Sequence, residues 1–218
     1  LPSICTGSTS SGKSTLCRYL YCIDAVTFAI KNNADYKLIL FNLEDSNSQV
    51  EDVIRSHIYY KTYDDFIDII YLNSMKRDSN NKELILTDKE VQRLYEIEPR
   101  VQQYLSYIIM FDNLYTPKEI YNEVFKVAQS CGTFYNKGKE LTKSEVITNK
   151  PWDRYVKNTK TLYSVLVDNA NKLHPGEEEK SLYEAIIKLN VYACTYIIKG
   201  FGFHYCGLHQ QTADSTSL

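Results

Sequence analysis

The stretch that decides the fold lies near the start of the chain and reads Gly7-Ser8-Thr9-Ser10-Ser11-Gly12-Lys13-Ser14-Thr15. It matches the pattern G-x-x-x-x-G-K-[ST] at every position. Two glycines let the backbone curl so that successive N–H groups point inward, at the positive end of the helix that follows. The small hydroxyl residues between the glycines leave room for an anion. The stretch therefore predicts a phosphate-binding loop.

Two side chains at the end of this loop complete its chemistry. Lys13 is expected to reach the β- and γ-phosphates of a nucleotide, and Ser14 to offer its hydroxyl to Mg²⁺. The flanking sequence favours this interpretation over a chance turn rich in glycine and serine. Residues 1–6 suit the tail of a buried strand, and residues 16–30 have the pattern of a helix. Strand, loop and helix in that order are the context that the motif requires.

Composition limits the class of protein. With 218 residues, 44% of them hydrophobic and 24% charged, the chain is expected to form one domain. A formal net charge of −2 and a pI near 6.1 give no general attraction to nucleic acid, so such contact needs a local patch. The six cysteines form no C-x-x-C pair and no secretory leader precedes them, which predicts reduced thiols in the cytoplasm. No apolar run reaches the about 18 residues that a membrane span needs.

Strands and helices alternate along the rest of the chain. Apolar runs typical of buried strands cover residues 37–43, 107–112, 161–168 and 203–208. Capping pairs that start helices are Ser46 with Gln49, Thr87 with Glu90, Thr116 with Glu119, and Ser181 with Glu184. Pro99 is expected to interrupt or restart its helix, and residues 75–82 to form a polar loop. Five strands joined by crossover helices predict an α/β fold with a mostly parallel sheet covered by helices on both faces.

One segment breaks this alternation. Residues 132–161 contain two glycines, a proline and the single tryptophan, and they predict an exposed, hairpin-like insertion. Trp152 beside Pro151 could anchor that insertion to the core. Residues 1–218 are otherwise expected to form one domain. Because the chain begins at a strand and ends just after another, we expect it to be a fragment that lacks an N-terminal domain and a C-terminal end.

Polar residues at the predicted strand ends form a candidate site, because ligands of parallel α/β sheets bind at the carboxyl ends of the strands. Asp168 follows an apolar strand and could hold the Mg²⁺ shell, but Asp112 does so equally well by pattern. Glu44 could deprotonate a water that attacks the γ-phosphate, and Gln210 could sense that phosphate through a hydrogen bond. Alternatively, Glu44 and Gln210 are ordinary polar residues at the start of loops.

An ordered set of segments resembles the ATPase domain of DnaB-like replicative helicases. Phe41-Asn42-Leu43-Glu44-Asp45-Ser46, with Gln49 after it, is similar to the phenylalanine-serine-leucine-glutamate segment and following helix of that family. Residues 86–90 resemble its acidic helix start, and residues 109–120 its strand and threonine-initiated helix. Residues 165–173 resemble its Walker B segment, and residues 207–210 its glutamine-bearing strand end. The resemblance covers nearly the whole chain.

This resemblance implies a RecA-like P-loop NTPase that acts as the motor domain of a hexameric helicase. Such a domain hydrolyses ATP with Mg²⁺ between the subunits of a homo-hexamer, translocates on single-stranded DNA and unwinds the duplex at the fork. A primase or a helicase loader would be a further partner. No membrane association is implied, and the protein would lie in the cytoplasm, or in the host cytoplasm if it is viral.

The resemblance also assigns a role to each matching residue and favours Asp168 over Asp112. Those roles are phosphate contact for the loop of Gly7 to Thr15 and for Lys13, Mg²⁺ binding for Ser14 and Asp168, catalytic base for Glu44 and γ-phosphate sensor for Gln210. Two residues differ from those common in the family. Asp45 stands where the family often has methionine, and Asn169 stands where tyrosine or histidine is common. The long segment 132–161 suggests a phage or otherwise divergent branch. The family's DNA-binding loops and arginine finger follow the glutamine strand, and the chain ends before them.

Three other functions remain open from the sequence. A RecA- or KaiC-like ATPase would share the fold and hydrolyse ATP without unwinding DNA. A P-loop kinase for a small molecule would need a lid rich in arginine, and the arginines of this chain are not clustered in that way. A structural protein could bind nucleotide without hydrolysing it, which an active Glu44 would exclude.

Overall fold

The structure, a computed structural model, describes residues 3–7, 12–67, 86–113, 115–148 and 151–210. Residues 8–11 of the predicted phosphate-binding loop and the predicted polar loop 75–82 lie outside these ranges. Among the described residues, no helix has the length and apolar character needed to cross a membrane.

Most strands in the described chain are followed by a helix. The strands are β1 (Ser3–Gly7), β2 (Tyr36–Asn42), β3 (Ile108–Phe111), β4 (Gly132–Asn136), β5 (Lys139–Glu140), β6 (Arg154–Lys157), β7 (Leu162–Asp168) and β8 (His204–Gln210). The helices are α1 (Lys13–Arg18), α2 (Ala25–Asn32), α3 (Asn47–Tyr63), α4 (Asp88–Leu105), α5 (Pro117–Cys131), α6 (Lys143–Ile147) and α7 (Leu182–Tyr192). A π-helical turn, Tyr19–Asp24, joins α1 to α2, and a second one, Ala193–Ile198, extends α7. A short 3-10 turn, Ala170–Lys172, follows β7.

The central sheet has five strands in the order β1-β8-β7-β2-β3. Every neighbouring pair runs parallel, so all five carboxyl ends lie at one edge of the sheet. The predicted mostly parallel α/β fold is confirmed. The order places β7 between β2 and β8, so the residues that follow β2 and β7 are neighbours at that edge.

Helices cover both faces of the sheet. In β2, Leu38 and Leu40 face one core while Ile39 and Phe41 face the other, and all four side chains are fully buried. The first core is completed by residues of α2, α3 and α4, and the second by residues of α5 and α7. Burial on both faces explains why the strand sequences are continuous apolar runs rather than alternating ones.

The helix starts follow the predicted capping pairs. Capping boxes begin α3 at Ser46, α4 at Thr87 and α5 at Thr116, each satisfying backbone N–H groups of the first turn. The predicted interruption at Pro99 is wrong, because α4 runs through Pro99 without a break. Pro99 lies on the exposed face of α4, where water can satisfy the carbonyl that loses its partner, while buried Ile97 and Val101 hold the helix against the core.

Residues 132–157 lie outside the central sheet and form a second sheet. Strands β5, β4 and β6 pair antiparallel in that order, with α6 between β5 and β6 in the chain. Phe134 is buried in the core beneath α5, and the ring of Trp152 lies 5.3 Å from that of Phe134 and 5.6 Å from that of Phe201. The hairpin-like segment is therefore attached to the domain through aromatic contacts.

Candidate active site

The phosphate-binding motif lies between the first strand and the first helix. β1 ends at Gly7 and α1 begins at Lys13, the order that the motif requires. Gly12 precedes α1 with φ of 73°, in the left-handed region that side chains disfavour, which explains glycine at this position. Its carbonyl accepts the N–H of Leu16 at 2.8 Å and thereby closes the first turn. Lys13 is partly buried at the start of α1.

Ser14 and Asp168 meet although 154 residues separate them in the chain. Asp168 is the last residue of β7 and its side chain is completely buried. The Ser14 hydroxyl donates to Oδ1 of Asp168 at 2.7 Å. The two residues that sequence analysis expected to serve one Mg²⁺ ion are therefore in direct contact.

Asp112, the competing candidate, makes a different contact. It follows β3, which is the edge strand of the described sheet, and its Oδ2 accepts the backbone N–H of Asn47 at 3.1 Å. Asn47 is the first residue of α3, so the carboxylate lies at the positive end of that helix. The geometry brings Asp168, rather than Asp112, to Ser14.

Glu44 lies beside Asp168 because β2 and β7 are paired. The register matches Asn42 with Asp168, and the N–H of Leu43 donates to the Asp168 carbonyl at 3.3 Å. The Glu44 side chain is exposed, and its Oε2 accepts a hydrogen bond from Nδ2 of Asn169 at 2.6 Å. Asn169 has φ of 63°, a left-handed conformation that asparagine tolerates better than most residues. The two predicted acids thus occupy adjacent strand ends.

Arg18 is a site residue that the sequence analysis missed. Its Nη2 lies 2.5 Å from Oδ2 of Asp168 and 2.5 Å from Oδ2 of Asp45. Burial lowers the pKa of the guanidinium, but the carboxylates of Asp168 and Asp45 outweigh burial and raise that pKa overall. The sequence did contain a signal, because Ser14 and Arg18 are four residues apart and share one face of α1.

Gln210 reaches the same region through its strand. The register of β1 and β8 pairs Gly7 with Gln210, so the backbone of Gln210 lies beside the start of the phosphate-binding motif. The carboxyl edge therefore gathers the phosphate-binding motif and the strand ends that carry the other predicted residues. Those strand-end residues are Glu44, Asp168 and Gln210.

The donor groups suit Mg²⁺ that arrives with a nucleotide. Among the described residues, no group of three or more histidine, cysteine, aspartate or glutamate side chains could hold a metal on its own. Mg²⁺ keeps several waters and is usually held by one or two protein oxygens together with substrate phosphates. The hydroxyl of Ser14 and the carboxylate of Asp168 supply such oxygens.

Together, the parallel sheet, the glycine-lysine-serine turn before α1 and the acids at neighbouring strand ends define a RecA-like α/β domain. No protein-family model matches the sequence, and no curated protein matches it. Solved structures do match. A DnaB-like replicative helicase, solved in a study of its interactions with primase, aligns over 100% of this chain and 41% of its own, with a TM-score of 0.57 and 13% identity.

A second solved structure, which is of an ATPase domain, gives the same result. It aligns over 99% of this chain and 59% of its own, with a TM-score of 0.57 and 12% identity. The chain thus spans less than two thirds of either protein. At these identities the similarity shows the fold, and the predicted resemblance to DnaB-like ATPase domains is confirmed at that level.

Proposed function

We propose that this chain is the ATP-hydrolysing motor domain of a hexameric replicative DNA helicase. The observation that carries the proposal is the contact of Ser14 with Asp168, with Glu44 held on the next strand end. These contacts place three groups at one edge of the sheet: a hydroxyl next to the phosphate-binding motif, a buried acid and an exposed acid. The fold shared with the two solved structures supports the same function.

Each residue has a defined part in the proposed reaction. The phosphate-binding motif of Gly7 to Thr15 holds the β- and γ-phosphates through backbone N–H groups, and Lys13 offsets their charge. Ser14 and the buried Asp168 would hold Mg²⁺, which would supply positive charge to offset the charge that develops on the phosphates. Glu44, exposed at its strand end, orients a water and accepts its proton. Gln210 then reports loss of the γ-phosphate through β8.

The wider parts of the proposal follow from the family resemblance. ATP would bind between subunits of a homo-hexamer, in the cytoplasm, and hydrolysis would drive movement along single-stranded DNA. A primase or a helicase loader is the expected protein partner. The domain would extend over residues 1–218, with residues 132–161 as an insertion relative to the bacterial members of the family.

The decisive experiment compares Glu44→Gln with a matched variant, Glu177→Gln, in the full-length product of the gene. Glu177 is an exposed glutamate in the loop before α7, so its substitution controls for loss of one negative charge. We expect Glu44→Gln to lower the rate of MgATP hydrolysis by about 100-fold or more, because general base catalysis contributes roughly 10²–10⁴-fold. Glu177→Gln is expected to hydrolyse ATP at the wild-type rate.

Unwinding of a fluorescent forked DNA separates the helicase from the other ATP-using functions. A helicase separates the strands only with hydrolysable ATP. The Glu44→Gln variant is therefore expected not to separate them. Hydrolysis without strand separation would replace the helicase with a RecA- or KaiC-like ATPase. Transfer of phosphate to an organic acceptor instead of water would indicate a kinase, and full turnover by Glu44→Gln would refute the assignment of the base.

A further inference from the structure

Arg18 lies between the buried acid of the candidate site and the loop that carries the exposed one. The guanidinium contacts Asp168, at the end of β7, and Asp45, the residue directly after Glu44. Both contacts are made by the same nitrogen, Nη2, at 2.5 Å. We propose that Arg18 is a positioning residue that, with Asp45, ties the Glu44 loop to Asp168 and so sets where the base stands. This inference rests on the proposed function, because it concerns the same ATP site.

The contacts of Asp168 fix the orientation of its carboxylate. Oδ1 accepts from the Ser14 hydroxyl, and Oδ2 lies 2.5 Å from Nη2 of Arg18 in an ion pair that lacks hydrogen-bond geometry. Ser14 and Arg18 both come from the same short helix, α1. The carboxylate is completely buried, and a buried charge is costly unless it is paired. Arg18 thus places its positive charge against the acid next to the phosphate-binding motif.

The second contact of Arg18 acts on the loop after β2. Pairing between β2 and β7 ends at Asn42, and residues 43–46 then lead from the sheet to the start of α3. Glu44 itself is exposed, and its carboxylate receives a hydrogen bond from Asn169. Asp45 gives the loop a second anchor, since its carboxylate forms an ion pair with a guanidinium that is itself buried.

Asp45 and Asn169, the two residues that differ from those common in the helicase family, therefore both stabilise the same loop. Asp45 pairs with Arg18, and Asn169 donates to Glu44, so both hold the loop that carries the proposed base. Arg18 connects this pair of contacts to Asp168. A base must stand within hydrogen-bond reach of the attacking water, and small displacements of a catalytic group lower the rate steeply. We call the contacts of Arg18 with Asp45 and Asp168 the tether. The tether would act on the catalytic rate rather than on nucleotide binding.

The test uses Asp45→Asn, which keeps the shape of the side chain, removes its charge and leaves Arg18 paired with Asp168. Asp35→Asn is the matched control, since Asp35 is exposed and precedes β2 at the opposite end of that strand. Steady-state hydrolysis of MgATP is measured together with hydrogen exchange of the backbone amides of residues 43–47. For Asp45→Asn we expect kcat to fall by about tenfold or more, KM to stay within about twofold, and the amides to exchange faster. Asp35→Asn should match wild type in all three, and Asp45→Glu, which restores the charge, should recover most of the rate.

The outcomes separate the tether from the proposed function. Unchanged exchange in residues 43–47 of Asp45→Asn would overturn the tether, as would a kcat equal to that of wild type or a loss confined to KM. If the wild-type protein hydrolysed no ATP, the proposed function would fail. The exchange rates would then still decide whether Asp45 and Arg18 hold the loop.

Discussion

Replacing Arg18 by methionine should destabilise the protein far more than replacing Asp168, the buried acid that Arg18 contacts, by asparagine. Met occupies a similar volume but leaves the Asp168 carboxylate buried without its cation. Asp168 is 0% exposed, and the Arg18 side chain only 11% exposed, so solvent screens this pair weakly. Removing one partner of a buried ion pair typically costs about 3–5 kcal/mol. The remaining Ser14 hydrogen bond offsets part of that loss, so we expect a decrease of about 2–4 kcal/mol in the free energy of unfolding.

Substitution of the other partner, Asp168, should be tolerated much better. In Asp168→Asn the amide oxygen can accept from Arg18 while the amide nitrogen donates to the Ser14 hydroxyl oxygen, and Arg18 also stays paired with Asp45. We expect Asp168→Asn to cost no more than about 1 kcal/mol. The double variant, Arg18→Met with Asp168→Asn, contains no unpaired buried carboxylate and should be more stable than Arg18→Met alone. This order of stabilities distinguishes a desolvated charge from simple loss of packing.

Urea unfolding without nucleotide, followed by circular dichroism, measures all three variants against wild type. The Asp35→Asn protein serves as a control for a change of surface charge. Equal stabilities of Arg18→Met and the double variant would refute the reasoning, because the cost would then come from the lost arginine stem. An Arg18→Met protein within about 0.5 kcal/mol of wild type, the range of ordinary surface substitutions, would refute it as well.

Two further predictions concern the site and the pH dependence of stability. Ser14→Ala should lower the free energy of unfolding by about 1–3 kcal/mol, because it leaves a buried carboxylate oxygen of Asp168 without its donor. It should also remove most of the Mg²⁺-dependent gain in affinity for a fluorescent ATP analogue, and equal gains in both proteins would argue against Ser14 as a ligand. Burial lowers the pKa of His57, His204 and His209 below the ordinary value of about 6.5. Because the unfolded chain then binds more protons, these histidines stabilise the fold above pH 6.5 and lose that effect as the pH falls below it. The urea midpoint should therefore be lower at pH 5.5 than at pH 7.5, and a midpoint that rose on acidification would contradict the burial of these rings.

Local sequence patterns predicted most of the fold. The strands are apolar runs buried on two faces, and the helix starts at Ser46, Thr87 and Thr116 depend on side chains within one turn, so both are local properties. The failure at Pro99 has a nonlocal cause, since packing of Ile97 and Val101 against the core outweighs the missing hydrogen bond. The order of the strands could not be read from such patterns, because it depends on contacts between distant segments.

The candidate site was predictable where a residue stands at a strand end. Glu44 and Asp168 belong to this class, because a parallel sheet places all of its strand carboxyl ends at one edge. That these two ends are neighbours depends on the strand order, which pairs β2 with β7. Arg18 and Asn169 were not predicted, because their roles depend on which side chains α1 and β7 bring into contact. The strand pattern alone left Asp112 and Asp168 equal, the family resemblance favoured Asp168, and the contact of Ser14 with Asp168 agrees with that choice.

The π-helical turn between α1 and α2 has a consequence for comparing this sequence with others. Each α-helical residue advances the helix by about 100°, and a π turn closes its hydrogen bond one residue later. Tyr19–Asp24 therefore shifts the angular phase of the helix between Arg18, which faces the acids, and Val26, which faces the core. A regular helix with the same two faces would have fewer residues at this point. Sequence alignments that allow a gap within Tyr19–Asp24 should consequently match the residues before and after it better than ungapped ones.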